Sequence, residues 1–118
     1  DSGMFRAMQL AAATALEAEA DWYEGNNENY RNRRHLAGEI MKTLGCTYDE
    51  KQVGMFLWGK IPASCKDVEE LTEKVLHEAR VFITPGFIFG SNGARYIRIS
   101  LCCKDNKLAE ALERIKRI

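Results

Sequence analysis

A strand-like segment near the end of the sequence places one arginine in an otherwise apolar run. Residues 96–101 read Y-I-R-I-S-L, and a β-strand alternates its side chains between two faces. Ile97, Ile99 and Leu101 therefore form a core-facing set, and Arg98 lies on the other face between a tyrosine and a serine. A guanidinium is a planar, permanently charged fork that suits a carboxylate or a phosphate. Arg98 is the candidate binding residue.

The strand pattern leaves a second interpretation of Arg98 open. An arginine on an exposed strand face also pairs with surface carboxylates, and Asp105 and Glu110 are nearby in the sequence. Periodicity does not choose between a surface ion pair and a ligand. Four aromatic residues are more typical of a core, although some of them could wall a cleft beside Arg98: Phe56, Trp58, Phe87 and Phe89.

The loop before this strand contains Gly86, Gly90 and Gly93. Their spacing, G-x-x-x-G-x-x-G, matches neither the dinucleotide fingerprint nor a P-loop, and a strand follows instead of a helix. Nucleotide binding is therefore not expected. The glycines instead predict unusual backbone angles or a close approach of two backbone segments.

Residues for the common catalytic and metal chemistries do not occur in the required patterns. His35 and His77 lie in separate predicted helices, so no triad or Cys–His pair is expected. The four cysteines contain no C-x-x-C pair, which argues against zinc and favours free thiols in a reducing cytosol. They are Cys46, Cys65, Cys102 and Cys103. No residue of this chain is expected to be catalytic, and no metal site is expected.

The composition is that of one globular domain. The 118 residues carry 17 basic and 17 acidic side chains without a basic stripe, so nucleic acid is not expected as a partner. No apolar run reaches membrane-spanning length and no signal-peptide pattern is present, which favours a cytoplasmic protein without a membrane partner. The sequence begins with Asp1, which favours an excised or processed piece of a longer chain.

Two helices are predicted before the strands. An alanine-rich helix spans Met4 to Leu16, with Ser2 as a possible cap, and Gly25-Asn26-Asn27 is expected to interrupt the helical pattern. A long second helix is expected from about Glu28 to Leu44. Gly45 stands where a C-terminal glycine cap belongs.

The remaining segments predict a small sheet packed against helices. Strands are expected at Val53–Ile61, apolar on both faces and therefore covered on both sides for part of its length, at Val81–Thr84 and at 96–101. The order α-α-β-α-β-β-α indicates an α+β domain with a mostly antiparallel or mixed sheet of about three strands. The last two helices have several candidate caps: Ser64 or Asp67, and Asp105 or Asn106.

Three segments resemble the class I/II pyridoxal-phosphate-dependent aminotransferases of fold type I. The run V-F-I-T-P-G-F-I-F-G-S-N-G-A-R-Y-I-R-I-S-L resembles their C-terminal signature of a Pro-Gly turn, a Phe-Gly pair, a later glycine and an aromatic-x-Arg-x-Ser strand. S-G-M-F-R-A-M-Q-L-A-A-A-T-A-L looks like the helix after the cofactor-lysine region. G-M-F-L-W-G-K-I-P looks like the first strand of the small domain. The resemblance extends through the whole chain.

The resemblance implies a role for Arg98 in a larger enzyme. In that family the matching arginine binds the substrate α-carboxylate bidentately and orients the amino acid toward the lysine that carries pyridoxal phosphate. Phe56 and Tyr96 are then expected to shape the approach. The turn at Ser2 and Gly3 is similar to a segment that reaches the neighbouring subunit's cofactor site, so a homodimer is expected. The substrates would be an amino acid and a 2-oxo acid.

The sequence also departs from the family pattern. The Schiff-base lysine, the aspartate that pairs with the pyridine nitrogen and the phosphate-binding residues belong to a larger upstream domain and have no counterpart here. Residues 1–45 would link to that absent domain, and 46–118 would form the small domain. The chain alone is expected to bind no cofactor and to be inactive.

Three alternatives stay open at this point. The parent could be a related fold type I lyase or synthase, because such enzymes also anchor a carboxylate. The chain could be a free-standing binding or regulatory module for a small acidic metabolite. It could also be a structural piece that dimerises through its alanine-rich helix.

Overall fold

The computed structural model describes residues 3–118, so the predicted cap and turn at Ser2 lie outside the described residues. Four α-helices and one sheet form the domain, which confirms the predicted α+β class. In chain order the elements are α1 (Arg6–Leu16), α2 (Ala20–Thr43), β1 (Thr47–Tyr48), β2 (Phe56–Lys60), α3 (Val68–Lys74), β3 (Thr84–Pro85), β4 (Tyr96–Ser100) and α4 (Asp105–Ile115). A π-helical turn, Val75–Ala79, prolongs α3, and two 3₁₀ turns precede β4, at Gly86–Phe89 and Ser91–Gly93.

The sheet is antiparallel and has the strand order β1-β2-β4-β3. It contains β1 in addition to the expected three strands. A two-residue strand carries no alternation that a sequence pattern could reveal. The second expected strand, Val81–Thr84, is shorter and later than predicted, because only Thr84 and Pro85 pair with β4. Proline cannot donate to a ladder, which agrees with the position of β3 at the edge.

One face of the sheet packs against the helices and forms the core. Leu57 of β2 and Ile97 and Ile99 of β4 are buried there, together with apolar residues of α2, α3 and α4. The other face is open, so the expectation that Val53–Ile61 is covered on both sides is wrong. Val53 is 88% exposed and lies before the strand. Within the described chain, only one side of the sheet has a helical layer to pack against.

The interruption predicted at Gly25-Asn26-Asn27 is also wrong, because these residues lie inside α2. Glycine and asparagine each cost about 1 kcal/mol or less in a helix, and a helix once formed gains a hydrogen bond for each added residue. The helical break falls instead between Leu16 and Ala20. There the hydroxyl of Tyr23 donates to the carbonyl of Ala15 (2.9 Å), which satisfies one of the carbonyls at the end of α1.

The predicted glycine cap at the end of α2 is confirmed. Gly45 has φ +70°, its N–H donates to the carbonyl of Lys42 (3.0 Å), and the next N–H, of Cys46, donates to the carbonyl of Met41 (2.8 Å). This pair of bonds is a Schellman motif. It turns the chain directly from the long helix into β1.

The cap predicted for α3 is confirmed, and the cap predicted for α4 is wrong. Asp67 caps α3 as predicted, because its side chain accepts from the N–H of Glu70 (2.9 Å). The α4 prediction is wrong: the N-cap is Lys104, without a side-chain cap bond. Asp105 instead accepts from Nε of Arg33 (2.8 Å), since a charged donor offers a stronger bond than a backbone N–H.

Helix α1 is the least integrated element. It has no buried residue, and the apolar side chains of Met8, Leu10 and Leu16 are exposed. No helix formed by residues 3–118 is both long enough and apolar enough to cross a membrane.

Candidate functional site

Arg98 lies at the centre of the sheet, with a paired strand on each side. In the register, Trp58 of β2 and Thr84 of β3 lie opposite Arg98. Its side chain is half-buried on the open face, while Ile97 and Ile99 are buried on the core face. The division of faces predicted for this strand is confirmed. Arg98 is therefore carried by a strand whose two edges are both paired.

Two phenylalanine rings contact the guanidinium of Arg98. Its Cζ atom lies 4.1 Å from the ring centroid of Phe56 and 4.1 Å from that of Phe89. Phe56 belongs to β2, and Phe89 ends the 3₁₀ turn that follows β3. Both distances are within the range of favourable cation–π contacts. The structure thus places Phe56, which the resemblance led us to expect near the substrate approach, in contact with Arg98, and it adds Phe89, one of the four aromatic residues named as possible cleft walls.

Tyr96 lies in the same open face but contacts a different aromatic residue. Its ring stacks on Trp58, with centroids 5.5 Å apart and planes at 15°. Trp58 in turn meets the ring of Phe89 edge-on at 5.9 Å and 63°. Tyr96, Trp58 and Phe89 thus form an aromatic layer, of which Phe89 contacts Arg98. Tyr96 supports this layer through Trp58.

Neither carboxylate considered as a surface partner is paired with Arg98. Asp105 is bound by Arg33 (2.8 Å), and Glu110 is paired with Lys107 (3.3 Å) and with Arg114. The hydrogen bond from Lys107 and the charge of Arg114 hold the pKa of Glu110 below its usual value. Within residues 3–118, the guanidinium of Arg98 makes no ion pair and no side-chain hydrogen bond. Its N–H groups are available to a ligand.

A second arginine of the same segment, Arg95, donates three hydrogen bonds to backbone carbonyls. Nη1 of Arg95 donates to the carbonyls of Cys65 (2.9 Å) and Lys66 (2.8 Å), and Nη2 donates to that of Pro62 (2.8 Å). These bonds fasten the loop before α3 to the start of β4. The sequence reasoning missed this role. The signal was present in the spacing, since residues 95 and 98 point to opposite faces of an extended chain.

The glycines of the preceding loop allow two backbone segments to touch. A Cβ atom added to Gly93 would lie 2.0 Å from the carbonyl oxygen of Gly86, and one added to Gly86 would lie 2.5 Å from that of Gly93. Gly90 has φ +120°, a region that residues with side chains rarely adopt. Both predicted reasons for glycine are confirmed. The crossing fixes the turn that presents Phe89.

A glutamine side chain replaces the strand that β2 lacks beside Trp58. The carboxamide of Gln52 accepts from the backbone N–H of Trp58 (2.9 Å) and donates to its carbonyl (2.7 Å). Strand β1 is too short to reach this position, because it pairs only with Gly59 and Lys60. Gln52 therefore satisfies the backbone beneath the aromatic layer. No sequence pattern had indicated this residue.

The lysines and the buried thiol of Cys46 are not in environments that would activate them as nucleophiles. Every lysine side chain is exposed to solvent. Burial raises the pKa of the Cys46 thiol to about 11, so that it is a protonated core residue at neutral pH. Residues 3–118 contain no group of three or more His, Cys, Asp or Glu side chains arranged to hold a metal ion. The described residues thus offer an arginine without an ion-pair partner, and the cavity that it lines is also lined by Thr84, Ser100 and Cys103.

Comparisons with known sequences all point to one family of enzymes. The family model for aminotransferase class I and II matches residues 3–115. An LL-diaminopimelate aminotransferase of Desulforudis audaxviator is 37% identical over 116 residues, which are 98% of this chain and 29% of that protein. Transaminase BacF of Bacillus subtilis is 32% identical over 117 residues, 98% of this chain and 29% of that protein.

Solved structures match nearly the whole of this chain with a similar fold, over a similar fraction of their own length. The apo form of BacF from Bacillus subtilis has a TM-score of 0.78 at 33% identity and covers 98% of this chain. An aminotransferase from Staphylococcus aureus has a TM-score of 0.79 at 32% identity and covers 99% of this chain. The aligned part is 30% and 31% of those chains, respectively. This chain therefore spans less than a third of the length of the relatives it matches.

Proposed function

The chain belongs to the aminotransferase class I and II family, and from that premise we propose that it is the C-terminal small domain of a larger aminotransferase. The parent enzyme would transfer an amino group between an amino acid and a 2-oxo acid. Residues 1–45 would link to the large domain, and 46–118 would form the small domain. The coverage of less than a third of each relative supports this assignment.

The observation that carries the proposal is the unpaired, well-supported guanidinium of Arg98. A carboxylate in the plane of the fork would accept two parallel N–H···O bonds, the strongest arrangement that an arginine offers. Fixing the carboxylate fixes the neighbouring Cα–H bond of the substrate relative to the rest of the enzyme. The contribution of Arg98 is therefore binding and orientation. Phe56 would line the site directly, whereas Tyr96 would support it by stacking on Trp58.

Pyridoxal phosphate is the cofactor of this family, and when bound it acts as an electron sink. The residues of this chain do not fit the role of holding it. A lysine that forms a Schiff base is activated by desolvation or by a neighbouring cation, and all lysines here are exposed. We therefore assign cofactor binding and proton transfer to the upstream part of the parent. The chain alone is expected to be inactive.

The exposed apolar face of α1 agrees with a position between domains. Helix α1 buries no residue in this chain, and Met8, Leu10 and Leu16 are all more than half exposed. A soluble domain rarely exposes so many large apolar side chains of one helix without a partner surface. In the parent, the large domain would cover this helix. We also propose that the parent enzyme is a cytoplasmic homodimer.

The first test compares the 118-residue chain with the product of the full reading frame that contains it. We expect the full protein to show the absorbance of bound pyridoxal phosphate and to transaminate amino acids, and the 118-residue chain to do neither. Turnover of amino acids by the chain alone would contradict the proposal. A reading frame that encodes only this segment would contradict it as well and would favour a free-standing binding module.

A further inference from the structure

The two phenylalanine rings reach Arg98 from opposite sides of its strand. Phe56 belongs to β2 and Phe89 follows β3, and these two strands flank β4 on its two edges. Each ring centroid lies 4.1 Å from Cζ of Arg98. Cζ lies over the face of each ring, and two ring faces this close to one atom need a wide angle between them to avoid overlap. The rings therefore flank the guanidinium on separate sides, and no side chain of residues 3–118 pairs with its N–H groups.

We propose that Phe56 and Phe89 form an aromatic slot that admits planar carboxylates to Arg98 and rejects tetrahedral oxyanions. The inference rests on the proposed carboxylate-binding role of Arg98 and adds a selection by shape to it. The ligand class is thereby narrowed to carboxylic acids. Sulfonates and phosphonates would be excluded, although all of these anions can pair with a free guanidinium.

The selection follows from the geometry of the two kinds of anion. A carboxylate bound to the fork keeps both oxygens in the guanidinium plane, between the two rings. A sulfonate that places two oxygens in this plane must direct its third oxygen out of it, toward a ring. The face of an aromatic ring carries negative charge density and repels an anionic oxygen. Steric overlap and electrostatic repulsion therefore both disfavour the sulfonate.

The segments that carry the two rings are held at several points. Phe89 packs edge-on against Trp58 at 5.9 Å, and the backbone of Trp58 is held by the side chain of Gln52. The turn that carries Phe89 is closed by the contact of Gly86 with Gly93. Phe56 is part of a paired strand. A slot with fixed walls can discriminate by shape, whereas mobile walls would yield to the larger anion.

The test uses acetate and methanesulfonate, two monoanions that share a methyl group and differ in the planarity of the anionic group. Binding to the 118-residue chain is followed through the Arg98 Nε–H resonance in ¹⁵N NMR spectra, assigned with Arg98→Lys. We expect acetate to bind about tenfold or more tightly than methanesulfonate, at the low end of what pocket shape achieves. Because the two anions also differ in basicity, this ratio alone does not decide the question.

The decisive quantity is the change in that ratio when a wall is removed. Phe56→Leu and Phe89→Leu are each expected to lower the acetate-to-methanesulfonate ratio severalfold, mostly by improving binding of the sulfonate. Phe87→Leu is the matched control, since Phe87 lies in the same turn and is also partly exposed. It should leave the ratio unchanged. Two separate wall variants keep the test valid if one of them fails to fold, as judged from its amide spectrum.

The possible failures are distinguishable. If acetate leaves the Arg98 resonance of the folded wild-type chain unmoved, the carboxylate-binding role itself is overturned. If acetate binds but the ratio is the same in the wild type and in both wall variants, the slot is overturned and the carboxylate role stands. An equal effect of Phe87→Leu would also overturn the slot, because it would reveal a general loosening of the turn.

Discussion

The two arginines of one short segment should differ sharply in what they contribute to stability. Arg95→Ala removes three hydrogen bonds from a charged donor to the carbonyls of Pro62, Cys65 and Lys66, at 2.8–2.9 Å. Such bonds contribute roughly 1.5–3 kcal/mol each, but they share one half-exposed guanidinium and are not additive. We therefore expect Arg95→Ala to lower the free energy of unfolding by about 2–4 kcal/mol.

Arg98→Ala is the matched comparison, three residues away. It removes two cation–π contacts of roughly 0.5–1 kcal/mol each and no hydrogen bond within residues 3–118. The expected loss is about 1 kcal/mol. Urea unfolding followed by far-UV circular dichroism measures both variants, and with ordinary m-values the Arg95→Ala midpoint should fall by about 1–2 M.

The comparison has a clear refutation. If Arg98→Ala destabilises the domain as much as Arg95→Ala, Arg98 is a structural residue and its availability for a ligand is an incorrect interpretation. If Arg95→Ala leaves the midpoint unchanged, the three carbonyl bonds do not hold the loop before α3. Arg95→Lys adds a further check, because an ammonium cannot reproduce the fork and should recover only part of the loss.

Three further predictions concern the surroundings of the site. Gln52→Leu leaves the N–H of Trp58 without its side-chain acceptor and should cost about 1–3 kcal/mol in urea unfolding, whereas Gln52→Glu should recover the acceptor but not the donor. Gly93→Ala places a methyl group 2.0 Å from the carbonyl oxygen of Gly86; an unchanged unfolding midpoint would contradict the described crossing. Burial raises the pKa of Cys46 from 9.0 to about 11, so the folded state retains a proton that the unfolded state loses, and stability should fall as the pH rises through this interval. Cys46→Ala should have a flatter pH profile there.

The parts of the fold that sequence reasoning predicted are those with strong, local physical signals. The alternation in 96–101 fixed which side chains of β4 face the core, because a strand with one buried face has a strict period of two. The caps predicted at Gly45 and Asp67 were correct, because a helix cap depends on one residue and its immediate neighbours. The glycines of the loop before β4 were interpreted correctly for the same reason.

The errors occurred where a distant contact decides the structure. Asp105 would cap α4 in isolation, but Arg33 of α2 binds its carboxylate. At the break after Leu16, the carbonyl of Ala15 accepts from the hydroxyl of Tyr23, eight residues further along the chain. For the site, Arg98 could be named in advance, and Phe56 and Phe89 were both among the four aromatic candidates. Which of the four contact Arg98, and the role of Gln52, required the three-dimensional arrangement, because a 3₁₀ turn and a side-chain amide carry no period in the sequence.

The most direct test of the central claim is a comparison of Arg98→Ala with the wild type in the full-length protein, using two kinds of substrate. One is an amino acid, and the other is the corresponding amine, which lacks the α-carboxylate. Truncating one partner of a charge-assisted pair costs about 2–5 kcal/mol, so kcat/KM for the amino acid should fall roughly 30- to 5,000-fold. For the amine it should be nearly unchanged. An equal loss with both substrates, or no loss with the amino acid, would contradict the claim that Arg98 binds the carboxylate.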